Sequence, residues 1–446
     1  MKFFIIFALI TICLLPNYLS AQEAPVMPLS LQKALELASE QNYQIRIAES
    51  KLSQVKGQNT ESLSGFLPKI SISETYVRTN DPVGVFGIKL RQGIFTENDF
   101  ALPSLNNPDD IDNFSTSFQI EQPLINIDAI YGKSAVASAV KAQKFALLRT
   151  KEAIKLEVEK AYFGLMLSHQ KLLTIQKAHE SLSEHYREVE AASEKGLVND
   201  ADLLATEVRL GDLKEQLIVA ENDISNTSDG LKFLLGIEDE ILIKPTDSLV
   251  VWESIPEFAS LDTLPTQRSD LLALQYSFSA ARRNSKMQAS GWVPRLNLFG
   301  SADWHSDKAF GQDGTNWTVG AQLHWNILDG LGRYGRLKKA NAEREEVNQR
   351  YREALAKSGN EVKKAYRNLN SAKKRIEVAQ TAVKQAKESL RIIRERFKAG
   401  LERSSELLQK KSAYTGAQLR LMKAKYDFKI AYSELVFYTG AMRTSN

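Results

Sequence analysis

The chain has 446 residues, 43% hydrophobic and 25% charged, with a formal net charge of +4. This balance fits a folded, water-compatible protein and argues against a polytopic helical membrane protein. A charge so near zero gives no case for nucleic acid as a partner, and the basic residues between Lys338 and Lys429 interleave with glutamates as on a solvated helix face.

At the N-terminus, Lys2 precedes the apolar run FFIIFALITICLLP, which is followed by Leu19-Ser20-Ala21 before Gln22. Residues 1–21 are therefore expected to be a secretory signal peptide, a retained N-terminal membrane helix being the alternative. The apolar core is short for a bilayer anchor, and no later stretch approaches 18 consecutive apolar residues. Cys13, the sequence's single cysteine, lies in that core and follows no lipobox. The exported chain is thus expected to lack disulfides, thiol chemistry and Cys-ligated metal.

Helical spacing of apolar residues predicts a helix from Leu31 to about Leu63, ended near Pro68 in GFLPKISIS. A β-hairpin is predicted over 66–127, with Phe118 and Ile120 opposed to Ser117, Gln119 and Glu121. Its middle, rich in Pro, Asn and Asp from Thr79 to Asn113, reads as a long loop. A long helix to Gly196 and a return helix to Gly236 complete a first structural repeat, 22–236. After a linker, 237–264, a second repeat spans 265–446: a helix from Ser269 to Ser290, a hairpin over 292–328, a long helix to 399 and a return to Gly440.

The duplication shows in matched motifs. GFLPKISIS returns as GWVPRLNLF, with Pro68 and Pro294 offset by 226; VEKAY returns as VKKAY, offset by 204. The second offset recurs at the KGL and AGL glycines, Gly196 and Gly400, and at Gly236 and Gly440. The difference places about 22 extra residues in the first hairpin. Along the second long helix, Val362, Tyr366, Leu369, Ala372, Ile376, Ala379, Val383, Ala386, Leu390, Ile393 and Phe397 form a seam with a mean step of 3.5 residues, the coiled-coil period. At about 1.5 Å per residue the long helix would reach roughly 100 Å and its return about 60 Å, so each repeat's opening helix is expected to stack on the return helix.

Four predicted strands are long enough for tilted membrane strands. Trp292 and Trp325 mark the helix-proximal ends of the second hairpin, and Trp304 and Trp317 flank its loop, as interfacial aromatics do; packing in a soluble sandwich is the alternative. Four strands cannot close a membrane barrel, so such a sheet requires an oligomer, preferably of three or more copies. At the strand-to-helix junction WNILDGLGRYG, Asp329 and Gly330 are expected to make the bend, with Arg333 onward facing water. The counterpart QPLINIDAIYG lacks the glycine, so the two junctions should differ.

The pairings GFLPKISIS with GWVPRLNLF, QPLINI with WNILDG and KGLVNDADLL with AGLERSSELL make the chain resemble the TolC-like outer-membrane efflux channel family, from about Leu29 to Met442. The resemblance implies an α+β membrane protein: a homotrimer with a 12-stranded transmembrane β-barrel, four strands per chain, continued by a periplasmic α-helical coiled-coil barrel. Such channels lie in the outer membrane of a diderm bacterium and reach into the periplasm. They serve tripartite efflux or type I secretion, with a periplasmic adaptor (membrane fusion protein) and an inner-membrane transporter of RND, ABC or MFS type. On this resemblance, segment 237–264 is an equatorial belt, and Gly196, Leu197, Gly400 and Leu401 are helix-turn tips gripped by the adaptor, although glycine after a helix is also an ordinary cap. Asp202 and Glu406 are candidates for acidic rings at the periplasmic entrance; as first-turn acids they also complement the helix dipole, and Asn199 with Asp202 has capping-box spacing. The further acid that some members carry is Gln409 here.

No catalytic constellation is visible, and no cofactor or metal site is expected. His169, His179 and His185 are spaced so as to scatter around one helix. The rival from another class, an exported periplasmic coiled-coil scaffold or adaptor, accounts for the heptads but not for four membrane-length strands with aromatic ends.

Overall fold

The structure, a computed structural model, describes residues 25–196, 198–248 and 268–440. The expected signal peptide, Leu197 and most of the 237–264 linker lie outside the described residues. In chain order, β1 (Val26–Leu29) and α1 (Leu31–Gln41) are followed by α2 (Tyr43–Glu61), β2 (Lys69–Thr79), α3 (Pro82–Gln92), α4 (Leu102–Asn106) and β3 (Ile111–Ile125). A long helix α5 (Ile127–Ser193) and its return α6 (Asp200–Leu235) lead to β4 (Leu242–Pro245). Then come α7 (Ser269–Ser290), β5 (Arg295–Ser306), β6 (Gly314–His324), α8 (Gly332–Lys398) and α9 (Ser404–Thr439). Both long helices have 67 residues and both return helices 36.

The chain forms two compact units, each drawn from both halves of the sequence. One comprises, among the described residues, 44–152, 268–364 and 438–440, and holds an antiparallel sheet of order β2-β3-β5-β6. The expected loop between β2 and β3 is instead partly helical. Proline, read as a breaker, sits here at the first position of α3, where its missing N–H is harmless; the Asp81 carboxylate caps the Gly84 N–H at 2.7 Å, and Gly93 closes the helix at φ +72°. Lys89 reaches back to Asp99 at 2.7 Å, and together with the Thr96 N–H and hydroxyl it holds that carboxyl down to about 2.

The other unit comprises, among the described residues, 25–43, 153–248 and 365–437. Its core gathers Leu29, Ala34 and Ala38 with Val158, Tyr162 and Leu165 of α5, Leu231 and Leu235 of α6, and Ile243. Here β1 and β4 pair in parallel. The predicted continuous helix from Leu31 breaks at Asn42, whose backbone is extended and whose side-chain amide donates to the Leu234 carbonyl at 2.8 Å. That bond satisfies an end carbonyl of α6, and Gly236 (φ +69°) must be glycine because a Cβ there would stand 2.8 Å from the Gln41 carbonyl oxygen.

On α8, the buried residues Val362, Ala365, Leu369, Ala372 and Ile376 step by three and four in turn, and the half-buried Ala379, Val383 and Ala386 continue the series to buried Leu390. Ala365 therefore takes the seam position expected for Tyr366, which is 41% exposed. Its counterpart Tyr162 is fully buried, its hydroxyl 2.8 Å from Leu29 O and 2.6 Å from Asp247 Oδ2, either of which can accept its proton. Tyr162→Phe should destabilise the fold by about 1–2 kcal/mol, since it strips the buried Leu29 carbonyl of its donor. Tyr366→Phe should stay within about 0.5 kcal/mol, a contrast measurable by thermal denaturation of the two variants in one detergent.

Candidate channel elements

The sheet separates its residues by chemistry. Strand register places Ile70, Ile72 and Tyr76 of β2 beside Ile120, Phe118 and Phe114 of β3; the same face continues through Leu298, Ala302 and Trp304 of β5 to Ala321, Val319 and Trp317 of β6. The opposite face carries Ser71, Ser73 and Thr75, then Gln119, Ser117 and Asn113, then Ser301, Asp303 and His305. On it, Ser117 donates to Asp303 at 2.5 Å, Asn297 to Glu121 at 2.9 Å, and Gln92 of α3 to Asn113 at 3.1 Å. One face is thus apolar and exposed while the other is hydrogen-bonded and polar. The margins of the sheet are β2 and β6, each with one strand neighbour.

Pro68 and Pro294 occupy the same place, immediately before the first residue of β2 and of β5. The two strand-to-helix junctions differ, as expected. Only Asn126 separates β3 from α5, and the close approach leaves no room for a side chain at Gly65, whose Cβ would meet that of Ala129 at 2.7 Å. Between β6 and α8 lie residues 325–331, where Gly330 and then Leu331 are left-handed, φ +63° and +69°. Asp329 accepts from the Arg333 N–H at 3.2 Å and pairs with Arg336 at 2.8 Å, which holds its carboxyl below the ordinary range. Arg333 is not water-facing: at 5% exposure it donates to Gly291 O at 2.9 Å and stacks 4.9 Å from the Trp292 ring. The Trp325 indole donates to Trp292 O at 3.2 Å, so the two helix-proximal tryptophans are joined.

In the other unit, Gly196 and Gly400 adopt φ +70° and +72°, with open space where a Cβ would be. The second tip closes through Leu401 N to Arg396 O at 2.9 Å, and Leu401 is exposed. Asp202 and Glu406 lie in the first turns of α6 and α9. Asn199 caps Ala201 N at 3.0 Å rather than forming a box with Asp202. Glu406 pairs with Lys410 at 2.8 Å, whereas the residue one turn past Asp202 is Thr206, a buried hydroxyl bonded to Asp202 O.

Two stretches, residues 34–237 and 261–441, match the model of the outer membrane efflux protein family. The chain belongs to that family. Over 350 residues it is 22% identical to the alkaline protease secretion protein AprF of Pseudomonas aeruginosa, covering 75% of this chain and 71% of that protein. Over 385 residues it is 20% identical to the outer membrane protein TolC of Vibrio cholerae, covering 84% and 82%. The fold matches the Campylobacter jejuni CmeC outer membrane channel with a TM-score of 0.78 at 18% identity, over 92% of this chain and 85% of that one. This outer membrane efflux protein is therefore the outer-membrane channel component of an efflux or secretion system, reaching into the periplasm. Among the described residues, no helix is long and apolar enough to cross a membrane, and no group of three or more His, Cys, Asp and Glu could hold a metal ion.

Sequence reasoning missed a polar cluster near the tips of this efflux protein. His185, 2% exposed, sets Nε2 2.9 Å from Ser404 Oγ; burial first, and then the charge of Lys411, hold its imidazole below the ordinary value. Lys411 donates to Ser181 O at 2.8 Å and lines a cavity of about 470 Å³ together with Lys177, Arg209 and Arg394; burial and then Arg394 push its ammonium down to about 8. A histidine and a serine 219 positions apart in sequence carry no spacing signal for the contact of His185 with Ser404.

Two outcomes follow from these sites. Arg333→Ala should destabilise the sheet unit by about 2 kcal/mol, as Gly291 O loses a charged donor and Trp292 its cation, and should shift the tryptophan fluorescence. For Lys411 the folded pKa lies below the unfolded one, so the unfolded chain binds the extra proton between about pH 8 and 10.5 and stability rises with pH across that window. Lys411→Met should accordingly be more stable than the parent at pH 7, by on the order of 1 kcal/mol, and the difference should shrink by pH 10 in thermal melts.

Proposed function

We propose that three copies close into one conduit: a twelve-stranded outer-membrane barrel to which each chain gives four strands, joined to a periplasmic barrel built from α5, α6, α8 and α9. The observation that carries this is the four-stranded sheet with an exposed apolar face and unpaired margins at β2 and β6. Unpaired backbone groups in lipid cost several kcal/mol each, so both margins must meet strands of other copies. Eight strands would fill their interior with side chains, while twelve leave a passage. Trp292 and Trp325 would sit at one bilayer interface, and Trp304 and Trp317 at the other.

Equal helix lengths and the constant offset of 204 support descent of 22–236 and 265–446 from one duplicated unit, with 237–264 as the belt between them. The tips at Gly196, Leu197, Gly400 and Leu401 receive a periplasmic adaptor, and an inner-membrane transporter of RND, ABC or MFS type supplies the cargo. Asp202 lines the entrance as the stronger acidic ring, since Lys410 neutralises Glu406 within the chain.

Planar-bilayer recording of the detergent-extracted oligomer tests this reading. Discrete channel conductance is expected, with Asp202→Ala raising it at least twofold and Glu406→Ala changing it less. Absence of channels from a folded, outer-membrane-located protein would refute the conduit, and equal responses of the two variants would refute the entrance assignment.

A further inference from the structure

A second polar cluster lies where the sheet meets its helices, wholly within the sheet unit. Arg295 and His324 are cross-strand partners at the helix-proximal ends of β5 and β6. Side chains alternate along a strand, so counting back in twos from Asp303 puts Arg295 on the polar face, beside the Asn297–Glu121 bond. Arg295 and His324 line a cavity of about 340 Å³ together with Asp128, Asn326, Arg333 and Arg336. That volume is at the lower end of the range for small-molecule sites.

The charges around it do not cancel. Arg295 pairs with Asp128, and Arg336 with Asp329 at 2.8 Å, while Arg333 has only a second claim on Asp329, Nε to Oδ2 at 3.6 Å. Three guanidinium groups thus share two carboxylates. Arg333 is also short of an acceptor: Nη1 donates to Gly291 O, but the buried Nη2 has no hydrogen-bond partner. Nearly all buried polar groups in folded proteins are satisfied, and a charged donor left over is among the most costly exceptions. The N-terminus of the 67-residue helix α8, which begins at Gly332 beside these groups, adds its own partial positive charge.

We infer that this cavity binds a soluble oxyanion, a phosphate or carboxylate group, through Arg333 at its buried end and Arg295 and Arg336 at its open end. A guanidinium offers paired N–H donors whose spacing matches two oxygens of one oxyanion, which favours this class over a spherical halide. The Arg295 and Arg336 side chains are 54% and 58% exposed, so both are free to turn onto an anion arriving from water. Because Arg295 and His324 stand on the polar face, the anion arrives from the side opposite the apolar face that meets lipid. This placement rests on the conduit proposed above, in which three copies would set three such sites on its wall at the sheet-to-helix junction.

The test is equilibrium dialysis of the full-length protein, extracted in a maltoside detergent, against labelled inorganic phosphate at constant ionic strength. Saturable binding of about one phosphate per chain is expected. Arg336→Gln and Arg295→Gln should each weaken it about tenfold, the size of one lost charge-assisted bond. Lys339→Gln, which removes a 78% exposed charge three residues further along α8, should change it by less than about twofold. In planar bilayers phosphate should lower the single-channel conductance of the parent, and the effect should vanish in Arg336→Gln. Absence of saturable binding refutes the site whether or not channels form, and so does an equal loss in all three variants. Retention of added phosphatidylglycerol without binding of inorganic phosphate would assign the cavity to a lipid headgroup and refute the soluble oxyanion. Binding with no effect of phosphate on an open channel refutes the placement on the conduit wall. The expected binding pattern in a folded protein that forms no channels upholds the site and refutes the conduit.

Discussion

The backbone at the margins of the sheet governs much else in this molecule. Strands β2 and β6 each have one partner, and the face running from Ile72 through Phe118 to Val319 is apolar and uncovered at several positions. Water solvates unpaired amides but not such a face; lipid solvates the face but not the amides. Only a closed ring of strands would satisfy both, which is the physical ground of the barrel proposed above. The polar face, with its Ser117–Asp303 and Asn297–Glu121 bonds, has the chemistry of a wetted interior.

Strand and helix must also be joined without leaving polar groups exposed to lipid. At α8 the chain turns over two left-handed residues, and Asp329 and Arg333 gather the loose backbone groups: one accepts from the first helical turn, the other donates to Gly291. At α5 a single residue suffices, and the cost appears instead as a position restricted to glycine, Gly65 against Ala129. The two strand-to-helix handovers are thus made by two different local routes.

Much of this plan was legible in the sequence because it is periodic. Alternation marked the strands, the 3.5-residue step marked the α8 seam, and the repeated glycines marked the ends of the helical hairpins. What escaped depended on contacts distant in sequence or on one residue serving two purposes. Asn42 interrupts a continuous helical pattern because it caps α6 nearly two hundred positions away. Tyr366 fits the 3.5-residue step of the seam in sequence, but the smaller Ala365 packs there instead. Arg333 carries the charge of a water-facing residue, yet its bond to Gly291 O and its cation–π contact with Trp292 lie within the junction. Pairing of Glu406 with Lys410 follows helical spacing and was readable, whereas the contact of His185 with Ser404 was not.

The matched lengths of 67 and 36 residues in both helical hairpins carry a consequence for how such a chain can vary. Inserting one residue in a helix turns everything beyond it by about 100° and shifts it by about 1.5 Å, which would drag a whole seam out of contact. Insertions and deletions are therefore confined to places where neither periodicity must be kept. The 22-residue excess of the first half lies in such a place, between β2 and β3, where α3 and α4 leave the strand register and the helical seams undisturbed.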